Sequence, residues 1–216
     1  MTYLYKHDNI LIMVEKLHSK GGVVTRVAEN GEHSKAIADL FTREIYGHNP
    51  SSSVGNLHKA LTSTNFGEID SEFIQRQQAK NQVGITVDKS GKLLGAVAIV
   101  IVSQKNMLLV QPTENIVEIT TIATIPDARR KGYGRKMIQL AEAMAQNKCG
   151  KNVKINVQPI NISGNSIKEI ERNNRLLQKF YKRNGYKPDE EETGNHPVSF
   201  MLKDLGISVL SKQLGK

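Results

Sequence analysis

The chain has 216 residues, a formal net charge of +9 and 38% hydrophobic residues, which fits one large domain with material for a core. No apolar run approaches the roughly 20 residues of a membrane helix, and one cysteine, Cys149, rules out an intrachain disulfide framework and a cysteine-based zinc site. The charge suits an anionic partner without choosing among small anions, nucleic acid and an acidic surface.

Taken in order, Ile10, Met13, Val14 and Leu17 behind Asp8 predict a short amphipathic helix within residues 1–20. Tyr5-Lys6-His7-Asp8 interrupts any early apolar stretch, so no signal-peptide pattern is expected and the cytoplasm is the simplest location. Gly21-Gly22 breaks the chain, and Val23 to Val27 reads as a strand. Ala36, Ile37, Leu40, Phe41 and Ile45 mark an amphipathic helix ending near Gly47. Residues 48–80 carry a weaker signal, with short helices expected at Leu57 to Leu61 and Ser71 to Lys80.

Val83, Ile85 and Val87 alternate as a strand. The turn Asp88-Lys89-Ser90-Gly91 leads into Leu93 to Val102, a buried strand antiparallel to it. Gln104 to Asn115 is a connection, and the β-branched run Ile116 to Ile125 is a central strand that Pro126 stops. Its alternation becomes irregular at Thr120-Thr121, which fits a β-bulge. Met137, Leu140, Ala141, Met144 and Ala145 then recur at helical spacing up to Gly150. Val153, Ile155 and Val157 form a strand that the crossover makes parallel to the central one. Ile167 to Arg183 is a helix closed by Gly185. Tyr186-Lys187-Pro188 and Val198 to Leu202 suggest a last hairpin around the acidic 189–192 loop, and Leu205 to Lys216 a tail with a short helix. The expected fold is a mixed α/β sheet, mostly antiparallel with one central parallel pair, and helices on both faces. Residues 1–22 would form a helical extension, 23–205 the domain and 206–216 the tail.

The informative segment joins the central strand to its helix. It reads Arg129-Arg130-Lys131-Gly132-Tyr133-Gly134-Arg135-Lys136. A helix starting near Gly132 leaves its first N–H groups without intrahelical partners. No Ser, Thr, Asp or Asn stands between Ala128 and Lys136 to cap them, and cations crowd the end that the helix dipole makes unfavourable for them. An external phosphate or pyrophosphate fits as the missing partner, with glycine permitting its close approach. An ordinary turn with a solvated basic face fits the same residues. The spacing excludes a Walker A loop, and Met137 stands where a dinucleotide fingerprint needs a third glycine. Zinc-finger spacing, an RNP-like aromatic cluster and His-Glu-x-x-His are absent, and the six histidines are scattered, so no metal is expected.

The pattern Arg-x-x-Gly-x-Gly from Arg129 to Gly134 resembles motif A of the GNAT acetyltransferase superfamily. Downstream, Asn174 through Phe180-Tyr181 to Gly185-Tyr186 resembles that family's closing signature. The resemblance covers about Val23 to Asp204 and implies an N-acetyltransferase that passes the acetyl group of acetyl-coenzyme A to a primary amine of a small molecule, peptide or protein. On it, Arg129, Arg130, Lys131, Gly132, Tyr133, Gly134 and Arg135 would hold the pyrophosphate. Ile122, Ala123 and Thr124 would flank the pantetheine arm, with a backbone N–H near Ile122 or Thr124 facing the oxyanion. Asn174 would hydrogen-bond the arm, Tyr181 would act as general acid, and Glu118, or a water chain, as base. Bland readings stand beside these: a salt-bridged Glu118, a core Tyr181, a solvated Asn174. A basic nucleic-acid-binding module and a catalytically inactive coenzyme A-binding fold are the alternatives, and a homodimer is compatible. The resemblance identifies no acceptor, whose expected surroundings, residues 36–80 and 189–197, carry no readable motif.

Overall fold

Long β-branched runs build the middle of the molecule. In a computed structural model, residues 5–7, 10–12, 17–19, 22–43, 70–102, 115–150, 153–157, 166–188 and 210–214 are described. The strands are β1 (Tyr5–His7), β2 (Ile10–Ile12), β3 (Leu17–Ser19), β4 (Val23–Val27), β5 (Val83–Val87), β6 (Leu93–Val102), β7 (Asn115–Thr124), β8 (Val153–Val157), β9 (Lys187–Pro188) and β10 (Leu210–Leu214). The helices are α1 (Ser34–Phe41), α2 (Ser71–Ala79), α3 (Tyr133–Cys149) and α4 (Ile167–Arg183). β1 and β2 pair with each other, and the rest form one eight-stranded sheet in the order β3-β4-β5-β6-β7-β8-β10-β9. Every pairing in that sheet is antiparallel except β7 with β8.

Strand alternation divides the core in two. Ala96 and Ala98 of β6 face Ile37, Leu40 and Phe41 of α1 and Ile74 of α2. Val97 and Ile99 face the other way, towards Met137, Leu140, Ala141 and Met144 of α3 and Tyr181 of α4. Helices therefore cover both faces, as expected. Each large side chain fully buried there contributes roughly 1.5–3 kcal/mol. α3 lies so close to the sheet that a Cβ at Gly84 would sit 2.5 Å from the Leu140 Cδ2.

The irregularity at Thr120 is a bulge. Ala98 of β6 pairs with Thr121 and Ile99 with Ile119, so Thr120 is left over. Its Oγ1 donates to the Ala98 carbonyl at 3.1 Å, which fastens the bulge. The extra residue reverses the phase of β7. Val117 and Ile119 belong to the α3 face, as does half-buried Ile122, while Ala123 belongs to the α1 face.

Two expectations fail. The helix within residues 1–20 is replaced by the short strands β1, β2 and β3, and β3 pairs with β4 in the main sheet. Of the residues whose spacing looks helical on paper, Ile10 falls in β2 and Leu17 in β3, while Met13 and Val14 lie outside the described residues. The helix of the tail is replaced by β10, which inserts between β8 and β9 with Leu210 fully buried. Leu210 and Leu214 stand four apart, which puts them on one side of a strand as readily as of a helix. β9 pairs with β10; the expected strand Val198 to Leu202, the acidic 189–192 loop and the helix Leu57 to Leu61 lie outside the described residues.

Replacing Leu210 by Ala is expected to cost about 2–5 kcal/mol in urea denaturation, as a core position does. A loose tail would lose almost nothing.

Candidate active site

β7 outruns its parallel neighbour. The β7–β8 pairing runs from Asn115↔Val153 to Ile119↔Val157 and ends there, while β7 continues to Thr124 against β6. From the bulge onward, the edge of β7 that faced β8 pairs with no strand among the described residues. Thr121 and Ala123 are buried and Ile122 and Thr124 half-buried. An edge of free N–H and C=O groups can receive an extended ligand as an added strand.

The same strand delivers the chain to the phosphate-type loop. Pro126 opens a single 3-10 turn, Pro126–Ala128, held by the Ala128 N–H on the Ile125 carbonyl at 3.0 Å. Arg130 then adopts φ 61° and Gly132 φ 84°, two left-handed steps before α3. A left-handed non-glycine residue costs roughly 1–2 kcal/mol, and such strain gathers at ligand clamps. α3 begins with no side-chain cap and no acidic residue in its first turn. The N–H groups from Arg130 to Arg135 meet no hydrogen-bond partner among the described residues. Contrast the other helices. Asp70 caps α2 by accepting the Phe73 N–H at 2.6 Å, and Ser166 caps α4 by accepting that of Glu169 at 3.3 Å. α1 also starts without a cap, behind His33, so a missing cap alone is not diagnostic. At α3 it coincides with exposed Arg129, Arg130, Lys131 and Arg135. Donors, cations and a free approach together suit a pyrophosphate.

The two glycines of the loop differ in role. A Cβ at Gly132 would meet nothing within 4 Å, but its left-handed φ disfavours any side chain. A Cβ at Gly134 would lie 3.2 Å from the Phe180 Cζ. Gly134 thus lets α4 approach the start of α3, which brings the closing segment to the loop. Sequence reading named Phe180 only as part of the closing signature and not as the partner of Gly134, because that contact joins elements far apart in the chain.

On α4, Tyr181 is 3% exposed, edge-on to Phe180 at 5.3 Å and to Tyr186 at 5.6 Å between ring centroids. Burial pushes its phenol well above the ordinary tyrosine range, so it stays protonated at any physiological pH. Asn174 is fully buried rather than solvated. It has an interaction partner, while its Nδ2 makes no hydrogen bond in the described structure. Glu118 is exposed and engaged in an interaction. It sits between Val117 and Ile119, which share a core with Tyr181, so the pleat turns it to the opposite face. The structure brings the loop and α4 together, and it does not bring Glu118 and Tyr181 onto one face. Among the described residues no group of acidic, histidine or cysteine side chains could hold a metal. No described helix is long and apolar enough to cross a membrane.

The comparisons agree with this geometry. Residues 54–186 match the model of the acetyltransferase (GNAT) family. No curated protein sequence matches the chain. Its fold is similar to the PaiA N-acetyltransferase of Thermoplasma acidophilum in complex with coenzyme A, at 12% identity over 89% of this chain and 99% of that one, with a TM-score of 0.56. A GNAT-family acetyltransferase of Listeria monocytogenes is similar at 16% identity over 93% and 100% of the two chains, with a TM-score of 0.53. So is the N-acetylglutamate synthase of Neisseria gonorrhoeae, complexed with coenzyme A and N-acetyl-glutamate, at 13% identity over 92% of this chain and 36% of that one, with a TM-score of 0.51. At these identities the structural likeness is one of fold.

A double-mutant cycle tests the helix approach. Gly134→Ala alone is expected to destabilise by about 1 kcal/mol through the Phe180 ring, and Phe180→Leu to relieve it, with a coupling of at least ~0.5 kcal/mol in denaturant unfolding. Additive effects would show that the ring does not constrain Gly134.

Proposed function

The chain belongs to the GNAT acetyltransferase family, and on that premise we propose that it is an N-acetyltransferase that moves the acetyl group of acetyl-coenzyme A to a primary amine. The observation that carries the reading is the run of N–H groups from Arg130 to Arg135 without partners among the described residues, set among cations at the end of a strand that outruns its neighbour. The acceptor is a small molecule, a peptide or a protein, and the cytoplasm is the compartment in this reading.

Acetyl-coenzyme A supplies an activated thioester, whose carbonyl carbon an amine attacks while a thiolate departs. The residues of this chain supply the rest. Arg129 and Arg130, with the amides of Lys131 to Arg135, hold the pyrophosphate through charge-assisted hydrogen bonds. The free edge of β7 at Ile122, Ala123 and Thr124 aligns the pantetheine arm, and Asn174 hydrogen-bonds it. A backbone N–H of Ile122 or Thr124 faces the carbonyl oxygen and stabilises its growing negative charge. A lysine-like amine has a pKa near 10.4 and arrives protonated. Glu118, or water ordered by it, removes that proton. Tyr181 keeps its own proton at neutral pH and gives it to the leaving sulfur.

The measurement is acetyl-coenzyme A binding by calorimetry. Saturable binding is expected, weakened about tenfold or more in Arg129→Ala and abolished in Gly132→Glu, where a carboxylate meets the anion. Tyr181→Phe is expected to lower kcat by ~10²–10⁴ while leaving the affinity in place. Because burial holds the phenol protonated, the rate should climb with pH as the amine deprotonates, with no falling limb from Tyr181 up to about pH 10. Absence of coenzyme binding would overturn the reading.

A further inference from the structure

The outer side of α4 carries a line of cations. Lys168, Arg172, Arg175, Lys179, Lys182 and Arg183 are all exposed. At about 100° per residue they fall within roughly a third of the helix circumference. From Lys168 to Arg183 the line runs ~22 Å along the helix axis. The opposite side anchors the helix, with Ile170, Asn174 and Tyr181 buried. The two acids of α4, Glu169 and Glu171, are half-buried and fall beside the line by the same spacing. Glu171 accepts from the Arg175 guanidinium at 3.1 Å, yet the Arg175 side chain stays 69% exposed, and such a surface pair is weak and screened by salt. Helix stability does not ask for this arrangement. Neighbours on the line stand three or four residues apart, where like charges repel. Lys168 also sits in the first turn, where the helix dipole opposes a cation.

We infer that this face of α4 is a docking surface for double-stranded DNA, held through its phosphate backbone. The inference stands apart from the acetyl-transfer reading, because it uses no residue of the loop or of the free β7 edge. A straight row of exposed cations complements a polymer whose anions recur at fixed intervals. Three of the six are arginines, whose guanidinium groups match phosphate oxygens in paired hydrogen bonds. A helix lies along the ~12 Å major groove of B-form DNA, with phosphates on both walls, whereas the major groove of an RNA duplex is deep and narrow. A single strand would call for aromatic platforms on which bases stack. The aromatics of α4, Phe180 and Tyr181, pack into the core instead. A membrane would call for apolar groups to insert. Among the described residues Leu176, 58% exposed, is the one large hydrophobic side chain that faces solvent. Contacts to phosphates position the duplex without reading its sequence, so this surface recognises charge and shape.

The test is fluorescence anisotropy of the full chain with a labelled DNA duplex of about 20 base pairs, roughly two helical turns, over a series of salt concentrations. An RNA duplex and a single strand of the same sequence, poly-glutamate and phosphatidylserine vesicles are titrated beside it. The DNA duplex is expected to bind most tightly, with a slope of log affinity against log salt of about −5 for six phosphate contacts. Arg172→Gln combined with Lys179→Gln should bring that slope about 2 closer to zero. The thermal midpoint should hold, since both positions are exposed. Lys80→Gln combined with Lys89→Gln removes the same charge from exposed positions elsewhere and should leave the slope as it was. Equal losses in the two double variants would reduce the effect to net charge and overturn the inference. So would tighter binding to any of the other four partners. Release of the duplex by acetyl-coenzyme A would place the DNA on the loop and overturn it as well. Failure of the coenzyme to bind, with the slope still dependent on Arg172 and Lys179, would remove the acetyl-transfer reading and leave this inference standing.

Discussion

Everything at the site depends on where one parallel ladder stops. β8 accompanies β7 as far as Ile119↔Val157, and β7 goes on to Thr124 with β6 alone among the described strands. Backbone N–H and C=O groups cannot be left bare in a protein interior without cost, so an unpaired edge inside a sheet is a demand for a partner. The same demand recurs a few residues later at the start of α3, where N–H groups point out of a helix end that no described side chain caps. One continuous stretch of main chain, from the bulge at Thr120 to Arg135, thus offers hydrogen bonds to something extended at one end and anionic at the other. In the proposed chemistry the two ends serve one ligand.

The bulge has a second effect. Were Thr120 an ordinary member of the ladder and not bulged out, the side chains of β7 would alternate without a break, and Ile122 would turn away from α3. Ahead of the bulge, the alternation of Val117 and Ile119 already turns Glu118 to one face while Tyr181 packs on the other. The acid and the base proposed here, on opposite sides of a strand, do not neutralise each other. That separation suits a reaction that takes a proton from the incoming amine and returns one to the departing sulfur through different groups.

Much of this was legible in the sequence because its causes are local. Gly185 marks the end of α4, and the expected bounds Ile167 to Arg183 are those observed. The loop declared itself through cations and glycines at a helix start, and Thr120-Thr121 betrayed the bulge by breaking the alternation. Other features depend on distant parts of the chain. Gly134 looked like room for a ligand, yet its missing Cβ makes room for Phe180. The burial of Asn174 and the split between the faces of Glu118 and Tyr181 come from tertiary packing. In the first twenty residues and the last twelve, apolar spacings of four fitted helix and strand equally, and strands of three to five residues are too short to reveal a period of two.

The place of β10 bears on how the molecule is made. β8 emerges from the ribosome well before the strand that hydrogen-bonds its outer edge, for α4 and β9 come between β8 and β10 in the chain. Until Leu214 has been synthesised, Val153, Ile155 and Val157 present that edge uncovered. Such an edge is a template for pairing with another chain, and closing it late adds a long-range contact to the folding path. Polysomes carrying many copies side by side are where this exposure is most hazardous, and a chaperone that shields nascent strands would act in that interval.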